Sequence, residues 1–399
     1  MRKLALLLIV LVLTAPLVAV ADNLPRATPE SAGMSAERLA KIGDWLQGII
    51  ERKQAAGFVT LVARRGKVVH YEAHGKRGLD VAEPMPLDAL FDLASMTKPV
   101  TTVAALMLLE DGRYTINEPI SNYLPEFKNP KVQIAPDRTA PANREITVHD
   151  LLTHTSGVFD PRSRADTYSF PTLAAYMKDF ARLPLQYQPG STWLYGDSFD
   201  VLGYFVQQVS KTPLDQFVAD RILKPLGMND THYWPPSSKD KRRAVLVVDG
   251  RDDPDSTSRR PLAAAEAKTF IGGASGLYSS AADYWRFSQM LLDGGTFSGR
   301  RLLGPRTVSW MARNHIGDMS SYRTPGLRFG LGVAVVDDPA SLGYPYSKGA
   351  YFWSGSQGTV FWVDPAEDLA GVLMVQVSPG GSLRLREKFA AIVYSAIME

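Results

Sequence analysis

The chain of 399 residues contains no cysteine. That absence excludes disulfides, a thiol nucleophile, thiolate metal sites and a lipid-modified cysteine. Charge of one sign is scarce as well: 44 Lys and Arg stand against 41 Asp and Glu, a net +3. No basic face accumulates, so nucleic acid is not expected as a partner. No Gly-x-Ser-x-Gly occurs, which excludes the nucleophile elbow of an α/β-hydrolase. The apolar run Leu4 to Leu13 is too short to span a bilayer comfortably and lacks a charged stop on its far side. With Arg2-Lys3 before it and Ala19-Val20-Ala21 after it, the segment reads as a cleavable signal peptide, residues 1–21, cut after Ala21. Export to the periplasm or the medium is expected, with no stable membrane anchor after cleavage. The whole chain has the 45% apolar and 21% charged composition of a globular protein, and without residues 1–21 its net charge is near +1. It is large enough to build its core without cross-links.

Hydrophobic periodicity divides the rest. Ser35 to Lys53 reads as an amphipathic helix capped by Ser35, with Leu39, Ile42, Trp45, Leu46, Ile49 and Ile50 on one face. Phe58 to Arg64 and Lys67 to Ala73 are strand-like runs around Arg65-Gly66, a hairpin signal. Helical patterns at Thr147 to Thr153, Thr172 to Leu183, Ser198 to Ser210 and Leu214 to Leu223 alternate with loops. Pro235 to Pro261 is dense in charge and turn formers and reads as a long surface loop. Beyond it, Ala281 to Leu292 and Pro305 to Asn314 look helical. Strand patterns follow at Arg328 to Val336, Ala350 to Trp353, Thr359 to Val363 and Leu369 to Val377, and Ser382 to Ile397 closes as a helix. Strands at both ends with helices between them predict a split α+β design. Residues 22–112 and 269–399 would build one antiparallel sheet flanked by helices, and 113–268 a mainly helical insertion.

Chemistry concentrates at Ser95-Met96-Thr97-Lys98, followed by an apolar, helix-forming run that Gly112 stops. The spacing puts Ser95 and Lys98 in the first turn of a buried helix, on one face. A serine hydroxyl needs a base within hydrogen-bond reach, and a desolvated lysine can serve. The spacing alone is weak, because a second copy, Ser238-Lys-Asp-Lys241, falls in a solvated loop.

Two further elements accompany the first copy: Gln188-Pro-Gly-Ser-Thr-Trp-Leu-Tyr195-Gly-Asp197, and Trp353-Ser354-Gly355-Ser356 at a strand end. With Leu151-Leu-Thr-His154-Thr-Ser-Gly157 and Gly272-Gly-Ala-Ser-Gly-Leu-Tyr-Ser-Ser, the set resembles the β-lactamase-related serine hydrolases. That superfamily includes class C β-lactamases, serine D-peptidases and family VIII carboxylesterases. The resemblance implies a β-lactamase/transpeptidase-like fold. It implies Ser95 as acylated nucleophile, Lys98 as its activator and Tyr195 as the phenol that shuttles the proton. Backbone N–H groups of Ser95 and Ser356 would form the oxyanion hole. Trp353, Ser354, Gly355 and Asp197 would contact substrate. No cofactor is implied.

Two positions depart from the β-lactamase pattern. Trp353 stands where those enzymes carry a lysine, as in family VIII esterases, which favours small neutral esters over anionic substrates. Asp197 stands where asparagine is frequent, and near Lys98 its carboxylate would help keep the lysine charged. The expected partner is therefore a small ester or amide. A D-stereospecific peptidase, amidase or weak β-lactamase is the alternative within the same chemistry, and a binding protein that kept the fold the alternative outside it. His154 reads as a structural residue at a helix end rather than a triad base. His70 and His74 lie on one strand face with no third ligand, so no metal site is expected.

Overall fold

The computed structural model describes residues 23–162, 170–253, 270–319 and 321–399. The expected signal peptide and the 254–261 end of the expected long loop lie outside the described residues. Helix α1 (Ala36–Glu51) begins where Ser35 accepts the Arg38 N–H, and buries Leu39, Ile42, Leu46 and Ile49 along one stripe. Arg65 and Gly66, both with positive φ, then turn β1 (Gly57–Arg64) into β2 (Lys67–Gly75). Every residue of β1 is buried, so this strand needs a neighbour on each side.

The second neighbour comes from the far end of the chain. Five strands arise there: β3 (Leu327–Phe329), β4 (Ala334–Val336), β5 (Tyr351–Ser354), β6 (Val360–Asp364) and β7 (Leu369–Met374). β7 pairs antiparallel with β1, Val372 opposite Leu61, and completes a seven-stranded sheet ordered β3-β4-β5-β6-β7-β1-β2. Gly371 sits opposite Trp362, whose indole occupies the space a Cβ would need.

Neighbouring strand residues point to opposite faces. Trp362 of β6 meets Phe389 of the last helix (α6, Leu385–Ser395) with ring centroids 5.0 Å apart. Phe361 meets Tyr284 of the helix Ala281–Leu292 at 5.1 Å. The sheet is thus covered on both faces. Helix α2 (Thr97–Glu110) follows the β1–β2 hairpin and ends at Gly112, φ 66°. Next come α3 (Val148–Leu152), α4 (Ser198–Ser210) and α5, the Ala281–Leu292 helix.

Several expectations shift. The run Arg328 to Val336 is a tight hairpin, not one strand, because Gly330 and Gly332 bend it between β3 and β4. The pattern over Leu214 to Leu223 is α-helical only to Val218 and widens into a π turn at Ala219–Leu223. A small hairpin, Lys131–Ala135 with Arg138–Pro141, carries no strong alternation. The described part of the expected surface loop contains Leu246–Val248, which pairs in parallel with Val377–Ser378 and buries Leu246 and Val247. Apolar side chains there outweigh the charged flanks. Ser238 and Lys241 lie in the 3-10 turn Ser237–Arg242, which buries no residue. Among the described residues no helix is long and apolar enough to cross a membrane.

Candidate active site

Helix α2 is buried continuously from Thr97 to Leu108, so the turn before it is delivered into the interior. Ser95 occupies that turn, the 3-10 segment Ala94–Met96, rather than the first turn of the α-helix itself. Lys98 is the second helical residue and Pro99 the third. The N–H that proline lacks is one of the first-turn donors that have no partner within the helix. Ala94 holds φ at +44°, a conformation costly for a residue with a Cβ. Its N–H donates to the Asp92 carboxylate at 2.8 Å.

Lys98 is 2% exposed. Its Nζ donates to Ser95 Oγ at 3.1 Å and to the Ala274 carbonyl at 3.0 Å. The segment bearing Ala274 runs alongside α2. Thr101 donates to the Gly273 carbonyl at 2.7 Å, and Asp200 of α4 accepts the Ala274 N–H at 3.0 Å. Gly273 lies so close to α4 that a Cβ on it would stand 2.8 Å from Gly203 Cα. The glycine pair therefore lets the carbonyl approach the lysine.

Tyr195 comes from the turn before α4. Its hydroxyl is hydrogen-bonded to Ser95 Oγ at 2.7 Å, and Lys98 Nζ lies 4.8 Å from its ring centroid. The turn is moored to the end of α3: Leu194 N–H donates to the His154 carbonyl and Gly190 N–H to that of Thr155, both at 2.8 Å. The short helix is itself fixed at its start by a Thr147–Asp150 capping box and by Arg144, which grips Asp150 at 2.5 and 2.8 Å. His154 leaves α3 with φ 57° and lies fully buried, its ring 4.7 Å from that of Tyr195 and 5.0 Å from Phe199. Burial, reinforced by the Lys98 cation, pushes its pKa well below the usual histidine range. It is a neutral ring packed behind the tyrosine.

The end of β5 closes the other side. Thr359 donates to the Leu93 carbonyl at 3.3 Å, and a Cβ on Gly355 would stand 2.5 Å from that same oxygen. Only glycine lets the strand end lie this close to the chain entering Ser95. Ser95, Tyr195, Trp353, Ser354, Gly355 and Ser356 line one cavity of about 300 Å³. Trp353 is 4% exposed, with its ring 5.6 Å from Tyr195 and 5.3 Å from Phe329. It serves as wall and packing together.

Asp197 is not among the residues lining this cavity. It heads α4, and its Oδ2 accepts the Asp160 N–H at 2.8 Å. Three residues escaped sequence reasoning. Ala274 acts through its carbonyl, to which its side chain is no guide. Tyr322 and Arg386 reach the cavity wall from a loop and from α6. Arg386 pairs with Glu387 at 2.7 Å and lies over the Phe352 ring at 4.2 Å. Nothing local sets it apart from the other cations. Among the described residues no group of three or more His, Asp or Glu could hold a metal ion; His70 hydrogen-bonds Thr60 at 2.8 Å.

A hydroxyl held between an ammonium group and a phenol, facing an aromatic-walled cavity, has the parts for nucleophilic attack on an acyl carbon. Comparison with known proteins agrees. The family model described as "Beta-lactamase" matches residues 42–395. The chain is 35% identical over 355 residues to protein Rv1367c of Mycobacterium tuberculosis, covering 81% of this chain and 86% of that protein. It is 31% identical over 387 residues to esterase EstB of Burkholderia gladioli, covering 90% and 94%. Among solved structures it is similar to EstCE1, a hydrolase with promiscuous acyltransferase activity. That TM-score is 0.78 at 25% identity, with 90% of this chain and 99% of that one covered.

Proposed function

We propose, since this chain belongs to the beta-lactamase family and is a serine hydrolase, that it is a carboxylesterase acting on small neutral esters through an acyl-enzyme on Ser95. The observation that carries this reading is the convergence of Lys98 Nζ and the Tyr195 hydroxyl on Ser95 Oγ, at 3.1 and 2.7 Å. Ser95 Oγ adds to the ester carbonyl as its proton passes to the Tyr195 oxygen, which must be a phenolate to accept it and becomes the phenol that later serves the leaving group. The tetrahedral oxyanion is held by the N–H groups of Ser95 and Ser356, both on the same cavity. Collapse returns the proton to the departing alcohol and leaves the acyl group on Ser95. Water repeats the sequence and releases the acid. Lys98 Nζ is held beside Ser95 Oγ by the Ala274 carbonyl, where a cation would stabilise negative charge at the Tyr195 oxygen. Tyrosine then carries the proton.

Substrate class follows from the wall. Trp353, Tyr322, Phe352 and Leu327 supply apolar surface. Among the described lining residues Arg386 is the cation that would favour a substrate with an anionic end, such as a D-peptide or β-lactam, but its charge is balanced by Glu387. Neutral esters fit better. Export rests on the N-terminal segment, and N-terminal sequencing of the mature protein checks cleavage after Ala21.

Intact mass after exposure to a fluorophosphonate, alongside steady-state assays on p-nitrophenyl butyrate and nitrocefin, tests the function. One adduct on the native protein, none on Ser95→Ala, and turnover of the ester far above nitrocefin are expected. Preferential nitrocefin turnover would favour the β-lactamase alternative. No adduct at all would leave a binding protein.

A further inference from the structure

A second cavity, of about 230 Å³, shares no lining residue with the Ser95 cavity. This second cavity lies between the Lys131–Ala135 strand and the helix Leu173–Phe180. Phe127, Ile146, Val158, Phe180 and Leu185 form its floor, each 5% exposed or less. Its mouth is different in kind: Lys128, Lys131 and Arg182 line it and are exposed.

Isolated surface cations are ordinary and carry no message. Here three of them ring an apolar hole. Glu145, whose charge Lys128 feels, accepts the Asn129 N–H at 3.2 Å and the Ser121 hydroxyl. Those bonds come first among the causes that hold it below the usual carboxylate range, and the Lys128 charge adds to them. Lys128 is thus partly balanced. Lys131 and Arg182 form no ion pair among the described residues. The volume, roughly eight waters' worth, holds a short hydrocarbon body and no more. Lys131 and Arg182 both line this cavity, and a carboxylate is the group that arginine grips through two parallel N–H groups.

We infer that this cavity is a binding site for a medium-chain carboxylate. The hydrocarbon lies on the Phe127–Phe180 floor and the carboxylate between Lys131 and Arg182. The site needs no chemistry from Ser95, so it stands whether or not the chain is an esterase. It does abut the tyrosine turn: a Cβ on Gly196 would stand 3.0 Å from the Val158 carbonyl oxygen and 3.3 Å from the Phe159 ring.

Calorimetric titration of the Ser95→Ala protein with sodium octanoate tests the site, with octan-1-ol and inorganic phosphate as comparison probes. Saturable one-site binding of octanoate is expected, with each comparison probe at least tenfold weaker. Lys131→Ala/Arg182→Ala should weaken octanoate at least tenfold and leave octanol unchanged. Leu183→Trp, which fills the cavity from its half-buried wall, should abolish binding. The double variant alters only exposed side chains, so folding does not confound it, and unchanged melting temperatures confirm this for both variants. Absence of saturable binding at millimolar octanoate overturns the inference. So does octanoate binding that survives the double substitution, or octanol or phosphate binding as tightly as octanoate.

Discussion

Replacing Tyr195 by phenylalanine removes a single oxygen from the site. The ring contacts survive: 4.7 Å to His154, 5.6 Å to Trp353, and the face beneath Lys98 at 4.8 Å. What disappears is the 2.7 Å hydrogen bond to Ser95 Oγ. Loss of one such bond costs about 1 kcal/mol of stability, so the variant should fold normally. Catalysis should suffer far more. A positioned proton carrier contributes about 10²–10⁴-fold, or roughly 3–5 kcal/mol of barrier. The size of the loss should depend on the leaving group. p-Nitrophenolate departs without a proton, whereas the alkoxide of an ethyl ester needs one. If Tyr195 both accepts the serine proton and hands it on, kcat/KM should fall about 100-fold on p-nitrophenyl butyrate and about tenfold further on ethyl butyrate. Steady-state rates on the two esters, with a thermal melt as control, measure this. Equal losses would remove the return step from the mechanism. A variant within about fivefold of the native enzyme on both esters would refute tyrosine as the proton carrier and leave Lys98 as the base.

Three other outcomes are expected. Gly355→Ala should cost about 1–3 kcal/mol, because its Cβ meets the Leu93 carbonyl at 2.5 Å. Activity should drop further than the melt explains, since relief of that clash moves β5 away from Ser95; full activity would show that the close approach is dispensable. Arg144→Ala strands the buried Asp150 carboxylate. Urea denaturation at pH 7 should show a loss of about 3 kcal/mol, and a loss below measurement error would contradict the mooring role given to this pair. Burial holds His70 down at about 4, against about 6.5 in an unfolded chain. Between those values the unfolded state binds the extra proton, so stability falls as pH falls through 6.5 and towards 4. The shift is worth about 2 kcal/mol between pH 7 and pH 5. His70→Gln keeps a partner for Thr60 and should flatten that part of the profile in denaturation at the two pH values. An unchanged slope would mean that buried His154 and half-buried His149, His232 and His315 carry the acid sensitivity.

Local signals were read well where one chemical cue controls the backbone. Ser35 caps α1, Arg65-Gly66 turns the first hairpin, and the Ser198 and Ala281 helices begin and end where their patterns do. The β-lactamase-like fold was legible from several motifs in order. What escaped was decided by tertiary contact. Ser95 sits outside the α-helix because Ala94 is held at positive φ, which an alanine does not advertise. Leu246 and Val247 are buried because the chain at Val377 returns beside them, and the charges flanking them hide that fate. Ala274 takes part through a backbone atom. Arg386 reaches the cavity only because α6 packs under β6, through Phe389 on Trp362. A linear pattern holds no such information.

The pairing of β1 with β7 governs how the protein can be made. Leu61 and Val372, opposite each other in the sheet, are 311 positions apart in the chain. As the polypeptide leaves the ribosome, the β1–β2 hairpin waits with an apolar edge uncovered until nearly all the rest has been synthesised. Such an edge invites pairing with another chain, and contacts so distant in sequence slow folding. In the finished sheet, Met398 N–H donates to the Gly33 carbonyl at 2.9 Å, so the two ends of the described chain meet. Joining them and opening the chain in an exposed loop would bring β1 and β7 much closer in sequence. A permuted protein of that kind should therefore refold faster while keeping every residue around Ser95.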